Sequence, residues 1–381
     1  MKKLIVLFSA VAALAACSKN EVVPAVSGEN VEISYKVAPR TKADADPKTF
    51  NTDNVFASWA YYLPSGKSWS ANQTEAKIYI GKDGEEGATI SYVNNVWKDN
   101  TTSYYWPKGG SLTFFAYSLN SKSLTDKSGT GRHFVCINHP AQYGIHGTLD
   151  LDSEPNTDFL VAEIASDKTA NEEVYKFNGV PTLFKHKLSR VKFAVKKKAD
   201  YANTTITLNS ITFKNLVYGM TYTQFMNDAA KGIITDYIFP GTDRTKEQEY
   251  TKTDFKVSSS TAFVPVPDAN EVRYIYIPQD FKNVTDVTKI ATIEVKYTVI
   301  FPNGFQEART KTLNVKDIFD KWEVGKRYTF NLIFSLDEIN WAPAVGDWKD
   351  EIKNIDIVTD EVKPADGSIS AGGDTTTNDQ Q

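Results

Sequence analysis

Residues 31–37 read Val31-Glu32-Ile33-Ser34-Tyr35-Lys36-Val37, with Val31, Ile33, Tyr35 and Val37 on one parity and Glu32, Ser34 and Lys36 on the other. A period of two places alternate side chains on opposite faces of an extended chain, so this stretch is a strand with one face buried. Its location makes it the strongest constraint in the chain. An export signal precedes it, and Arg40 stands three residues beyond its end. A cut after Arg40, exposing Thr41 as a new N-terminus, removes a strand around which the fold has already been built. A sheet that loses such a strand keeps a groove with unpaired backbone groups along its walls. The expected function lies in that groove.

The export signal begins with Lys2 and Lys3 and continues as the apolar run Leu4 to Ala16. The run is shorter than the ~20 residues that cross a bilayer as a helix, and it has the layout of a signal peptide. It ends Leu14-Ala15-Ala16-Cys17, which resembles the lipobox of a bacterial lipoprotein. The resemblance implies that residues 1–16 are removed and that Cys17 carries lipid, so that residues 17–40 form a lipidated propeptide on the outer membrane. The chain has 2 cysteines. With Cys17 lipidated, Cys136 has no intrachain disulfide partner, and an exported body of this kind rests on its cores alone.

A length of 381 residues allows two or three domains. The net charge of -4 argues against a nucleic-acid partner, which would require a basic face. The 19 Tyr, 21 Phe and 7 Trp, with many Thr and β-branched residues, favour sheet. Polar residues 41–54 precede strands expected at Val55 to Tyr62, Lys77 to Ile80, Thr89 to Val96, Leu112 to Tyr117, Phe134 to Ile137, Asp158 to Ile164 and Val174 to Phe177. A second set covers Leu188 to Val195, Thr204 to Leu216, Thr251 to Val257, Val272 to Ile277, Ile290 to Ile300, Ala308 to Val315 and Arg327 to Phe334. The alternation slips by one at Asn209-Ser210, which predicts a β-bulge there. Gln224 to Lys231 reads as one or two helical turns. Short strands separated by Gly, Pro, Asn and Asp predict an all-β chain of two tandem β-sandwich domains, 41–186 and 187–348, with few short helices. In residues 349–381, Ile352, Ile355 and Ile357 lie among charged residues and form a candidate donor strand before a tail disordered by composition.

Catalytic and metal chemistry finds little support. His133, Cys136, His139 and His146 match no zinc-ligand spacing, and solvated imidazoles in a turn-rich loop account for them. Gly66-Lys67-Ser68 ends like a phosphate loop, but Tyr61 stands where that loop needs glycine. No metal, no cofactor and no enzymatic activity are expected. Trp59-Ala60-Tyr61-Tyr62 and Tyr104-Tyr105-Trp106 fit a sandwich core. The alternative use of these aromatics is glycan binding, by a monomeric surface lipoprotein that keeps residues 18–40.

An ordered series of segments resembles the fimbrillin-like family, the subunits of type V pili. After Leu14-Ala15-Ala16-Cys17 come Pro39-Arg40-Thr41-Lys42, Val55-Phe56-Ala57 and Tyr104-Tyr105-Trp106-Pro107 with Leu112-Thr113-Phe114-Phe115-Ala116-Tyr117-Ser118. His186-Lys187-Leu188-Ser189-Arg190-Val191-Lys192-Phe193, Ile277-Pro278-Gln279, Trp322-Glu323-Val324-Gly325-Lys326-Arg327-Tyr328 and Val345-Gly346-Asp347-Trp348 follow. The resemblance implies transthyretin-like sandwiches and trimming after Arg40 by an arginine-specific protease. It also implies assembly with other pilus subunits by donor-strand exchange, giving an extracellular pilus that supports adhesion.

Overall fold

A computed structural model of the chain describes residues 31–37, 50–82, 84–125, 134–139, 142–153, 155, 157–170, 179–198, 203–228, 233–244, 247–266, 275–335 and 339–347. Those residues are almost entirely strand; the longest helix among them is the single turn Trp69–Asn72.

The first half is organised on a ten-stranded sheet. Its path runs Val180–Thr182, Tyr35–Val37, Val96–Asp99, Ala88–Val93, Phe56–Leu63, Ser111–Ser118, Leu160–Ala162, Phe184–His186. Lys77–Ile80 joins it on Phe56–Leu63, and Ala165–Lys168 on Ser111–Ser118. The two central strands are buried almost end to end, as strands are when both sheet faces are covered. Trp59, Tyr61, Phe115 and Tyr117 occupy one face, and Phe56, Ala60, Leu112 and Phe114 the other. The sheet curls over the second of these faces. Tyr35 is separated from Ser111–Ser118 by three intervening strands in the sheet order, yet its ring lies 5.9 Å from that of Phe114.

A four-stranded sheet covers the first face, in the order Ile233–Pro240, Gly219–Asp228, Gln142–Asp150, Phe134–His139. Phe134, Cys136, Ile145, Leu149, Met220 and Tyr222 fill the space between. Gly219–Asp228 lies beyond the division at residues 186 and 187, but it pairs with Gln142–Asp150 from Gly219 opposite Asp150 to Thr223 opposite His146. The helical turns expected over Gln224 to Lys231 are corrected here, because the strand runs through Asp228. Met220 and Tyr222 alternate into the core, and Gln224 continues on the same parity. Its Oε1 accepts the Ile145 amide at 2.9 Å. A buried glutamine in an apolar series hides the strand period from hydropathy alone.

The second half is a sandwich. One sheet runs Val264–Pro265, Ser189–Lys197, Lys326–Phe334, Ile339–Asp347, with Ile275–Tyr276 also on Ser189–Lys197. The facing sheet runs Glu247–Lys256, Thr205–Lys214, Thr292–Ile300, Gln306–Asn314. The expected bulge is present: the register shifts between Leu208 and Ser210 against both neighbouring strands. It changes parity, so that Ile206 and Leu208 before it, and Ile211 and Phe213 after it, all reach the same core.

Candidate functional site

Residues 31–37 are threaded into the first half rather than laid upon it. Tyr35–Val37 runs parallel to Val180–Thr182, with Tyr35 opposite Val180 and Val37 opposite Thr182. On its other side Tyr35 lies antiparallel to Trp97. The ladder continues towards the N-terminus without regular strand geometry: the Ile33 amide donates to the Tyr104 carbonyl at 2.7 Å, and the Trp106 amide donates to the Val31 carbonyl at 3.1 Å. The Val180 amide donates to the Ser34 carbonyl at 2.7 Å on the far side. The segment therefore has backbone partners on two walls, 96–106 and 179–182.

Alternation delivers the side chains as the sequence predicts. Ile33 and Tyr35 are 3% and 5% exposed, while Val31 and Val37 pack half-buried against the same cluster. The Tyr35 ring meets Phe56 edge-on at 5.4 Å and Phe114 at 5.9 Å. Burial pushes its phenol well above the ordinary tyrosine range. Gly179, at φ +85°, closes the far wall: a Cβ there would stand 2.7 Å from the Tyr35 carbonyl carbon and 2.9 Å from the Lys36 nitrogen. Only glycine lets the two backbones approach this closely at this φ.

The outward face carries one charged contact. Glu32 receives Lys98 Nζ on Oε2 at 2.9 Å and Ser103 Oγ on Oε1 at 2.8 Å. The Lys98 hydrogen bond holds the Glu32 carboxyl below its ordinary range, aided by Ser103 and by the Lys98 charge. Ser103 follows a turn fixed by Asp99, whose Oδ1 accepts the amides of Thr101 and Thr102 at 2.8 and 3.1 Å. Beyond residues 31–37, the chain returns to the same cluster at Phe50, stacked on Phe184 at 4.9 Å.

Cys17, Arg40, Thr41, Ile352, Ile355 and Ile357 lie outside the described residues, as do His133 and the strand expected at Val174 to Phe177. Cys136 is buried and forms no disulfide; the Tyr61 hydroxyl donates to its sulfur at 3.5 Å. His146 Nδ1 contacts the Thr223 hydroxyl at 2.5 Å. Among the described residues no group of His, Cys, Asp and Glu is arranged to hold a metal ion. Of the aromatics that could serve a glycan, Trp59, Tyr61 and Trp106 are buried, Tyr62 and Tyr104 half-buried and Tyr105 exposed. Lys98, Ser103 and Gly179 escaped the sequence reading, because their partners are remote in the chain and none belongs to a motif.

A fimbrial protein from Bacteroides vulgatus has the same fold at 16% identity and a TM-score of 0.60, covering 83% of this chain and 99% of its own. A candidate cell adhesion protein from Bacteroides uniformis aligns at 15% identity and a TM-score of 0.47, covering 83% and 98%. The tip fimbrial protein of Porphyromonas gingivalis, with a C-terminal truncation, aligns at 10% identity and 0.34, covering 83% and 98%. No curated protein matches the chain. The family model described as fimbrillin-like matches residues 65–348, and the chain belongs to that family.

Proposed function

We propose that this protein is a structural, non-enzymatic subunit of a type V pilus, assembled by donor-strand exchange and supporting adhesion. It is exported as a lipoprotein anchored through Cys17 to the outer membrane. An arginine-specific protease cuts between Arg40 and Thr41 and frees residues 31–37 from their covalent connection. A strand from a neighbouring subunit then fills the vacated groove, and the product is an extracellular polymer at the cell surface. Ile352, Ile355 and Ile357 mark the sequence's own candidate for that strand.

The observation that carries this reading is the two-sided pairing of residues 31–37, with Ile33 and Tyr35 buried. A strand held on two walls blocks the groove while it is present. Its loss leaves backbone donors and acceptors that a foreign strand satisfies by ladder formation, with alternate side chains setting the register. Anchorage of Phe50 in the same cluster supports the cut site, because cleavage after Arg40 leaves the chain beyond Phe50 fixed. Because the donor becomes part of its neighbour's core, the polymer resists dissociation kinetically.

The test compares full-length protein with protein processed after Arg40 on unboiled SDS gels. Ladders from the processed form alone are expected. A processed form that stays monomeric at high concentration rules out exchange.

A further inference from the structure

One polar contact in the groove involves a side chain of residues 31–37 and two residues of the wall. Glu32 is gripped by Lys98 and Ser103, and both belong to the groove wall. Lys98 lies on Val96–Asp99, paired to Ser91 of Ala88–Val93. Ser103 is positioned by the turn at Asp99. Each anchor thus also has a partner within its own wall besides its contacts to residues 31–37, which favours a clamp set for a carboxylate one position ahead of the Ile33 slot. With apolar slots at Ile33 and Tyr35, one register remains: acid, β-branched, polar, aromatic.

Resting on the exchange reading above, we propose that Lys98 and Ser103 select the incoming strand by its carboxylate, and that this strand is Glu338-Ile339-Asn340-Trp341 of a second copy of this chain. It matches Glu32-Ile33-Ser34-Tyr35 position by position. The segment around Ile355 does not. Placing Ile355 and Ile357 in the two apolar slots sets Asn354 against Lys98. Placing Glu351 or Asp356 there sets Asn354 or Thr359 in the Tyr35 slot.

The same order recurs at Glu271-Val272-Arg273-Tyr274 and at Glu294-Val295-Lys296-Tyr297. Thr292–Ile300 is paired along both edges. Residues 271–274 run directly into Ile275–Tyr276, which is buried against Ser189–Lys197. Ile339–Asp347, in contrast, ends its sheet, with Lys326–Phe334 as its one pairing partner among the described residues. Releasing it breaks a single ladder and leaves the remaining pairings of that sheet in place.

The test treats full-length protein with an arginine-specific protease and titrates it with fluorescent peptides by anisotropy. The peptides span 31–37, 336–347, 336–347 with Glu338→Gln, and 350–359. The 336–347 peptide is expected to bind, and Glu338→Gln to weaken it about three- to tenfold. That difference should vanish in Lys98→Gln protein and shrink in the milder Ser103→Ala protein. Equal binding of the acid and amide peptides, or tighter binding of 350–359, overturns the clamp while leaving exchange standing. Failure of the 31–37 peptide to bind overturns exchange and the clamp together.

Discussion

Truncating Tyr35 to alanine tests whether residues 31–37 are a structural part of the first core or a surface attachment. The Tyr35 ring is buried, with edge-on contacts to Phe56 at 5.4 Å and Phe114 at 5.9 Å. Removing a large aromatic from a packed core costs about 3–5 kcal/mol, since the apolar transfer is lost and the cavity only partly collapses. Each edge-to-face pair accounts for about 0.5–1.5 kcal/mol within that total. With a urea slope of about 2–3 kcal/mol per M, the unfolding midpoint of the first core moves down by about 1–2 M. Tryptophan fluorescence reports it directly, because Trp97 pairs with Tyr35 and Trp106 shares its cluster. Tyr35→Phe keeps both ring contacts and is expected to stay within about 0.5 kcal/mol of the unsubstituted protein. A shift below about 0.3 M for Tyr35→Ala corresponds to a surface-sized effect. That result would mean the segment contributes nothing to the core, and no vacancy would follow its loss.

Gly179→Ala places a Cβ against the Tyr35 and Lys36 backbone at a left-handed φ. It is expected to destabilise the docked segment by about 2–5 kcal/mol, read as faster proteolysis within residues 31–40. Asn94 and Asn95, at φ 52° and 65°, form the two-residue turn of the hairpin that carries Lys98. Asn95→Ala should lower first-core stability by about 1–2 kcal/mol and Asn95→Gly should be close to neutral, both read by thermal melting. The lowered folded-state pKa of Glu32 has a defined sign in pH titration. Its contribution is fully present above the ordinary glutamate value of about 4.3 and is lost as pH falls through the lower folded value. Urea midpoints measured from neutral to acid pH should therefore lose part of their acid limb in Glu32→Gln, and an unchanged limb counts against the clamp.

What the sequence discloses follows from how local each cause is. Four apolar residues at a strict period of two marked the segment 31–37, since one sheet face decides all of them together. The bulge at Asn209-Ser210 was legible for the same reason: a parity change leaves a visible slip in the apolar series. Gln224 to Lys231 reads as helical turns although Gly219–Asp228 is a strand, because Gln224 is buried for its hydrogen bond to Ile145, a partner that hydropathy does not reveal. Ile339–Asp347 escaped because Pro343 and Gly346 are poor strand formers. On an edge strand, a missing N–H costs nothing where it faces away from the partner. The clamp was illegible for a simpler reason: Glu32 to Lys98 and Glu32 to Ser103 are contacts across 66 and 71 positions of chain, and nothing local to either end announces them.

The two walls of the groove are unequal, and their difference explains where selectivity can reside. Val180–Thr182 pairs with Tyr35–Val37 and with no other strand in the sheet order among the described residues. Pro181 has no N–H to offer to any other neighbour, and the next tie is the Glu163 amide to the Leu183 carbonyl at 2.9 Å. Val96–Asp99 keeps Ala88–Val93 as a partner along four positions whether or not the groove is filled. In the proposed exchange, loss of residues 31–37 would cost Val180–Thr182 its one strand partner, whereas Val96–Asp99 would keep Ala88–Val93. In the exchange proposed above, an incoming strand would form its first ladder on Val96–Asp99, the wall with a second strand partner, before it pairs with Val180–Thr182 beside Gly179. Under that proposal, discrimination between strands would occur at this first ladder, before the second wall is engaged. Lys98 and Ser103 stand on the 96–106 wall, where a first encounter would be tested by charge; on the other wall, they would be engaged only after the first ladder had formed.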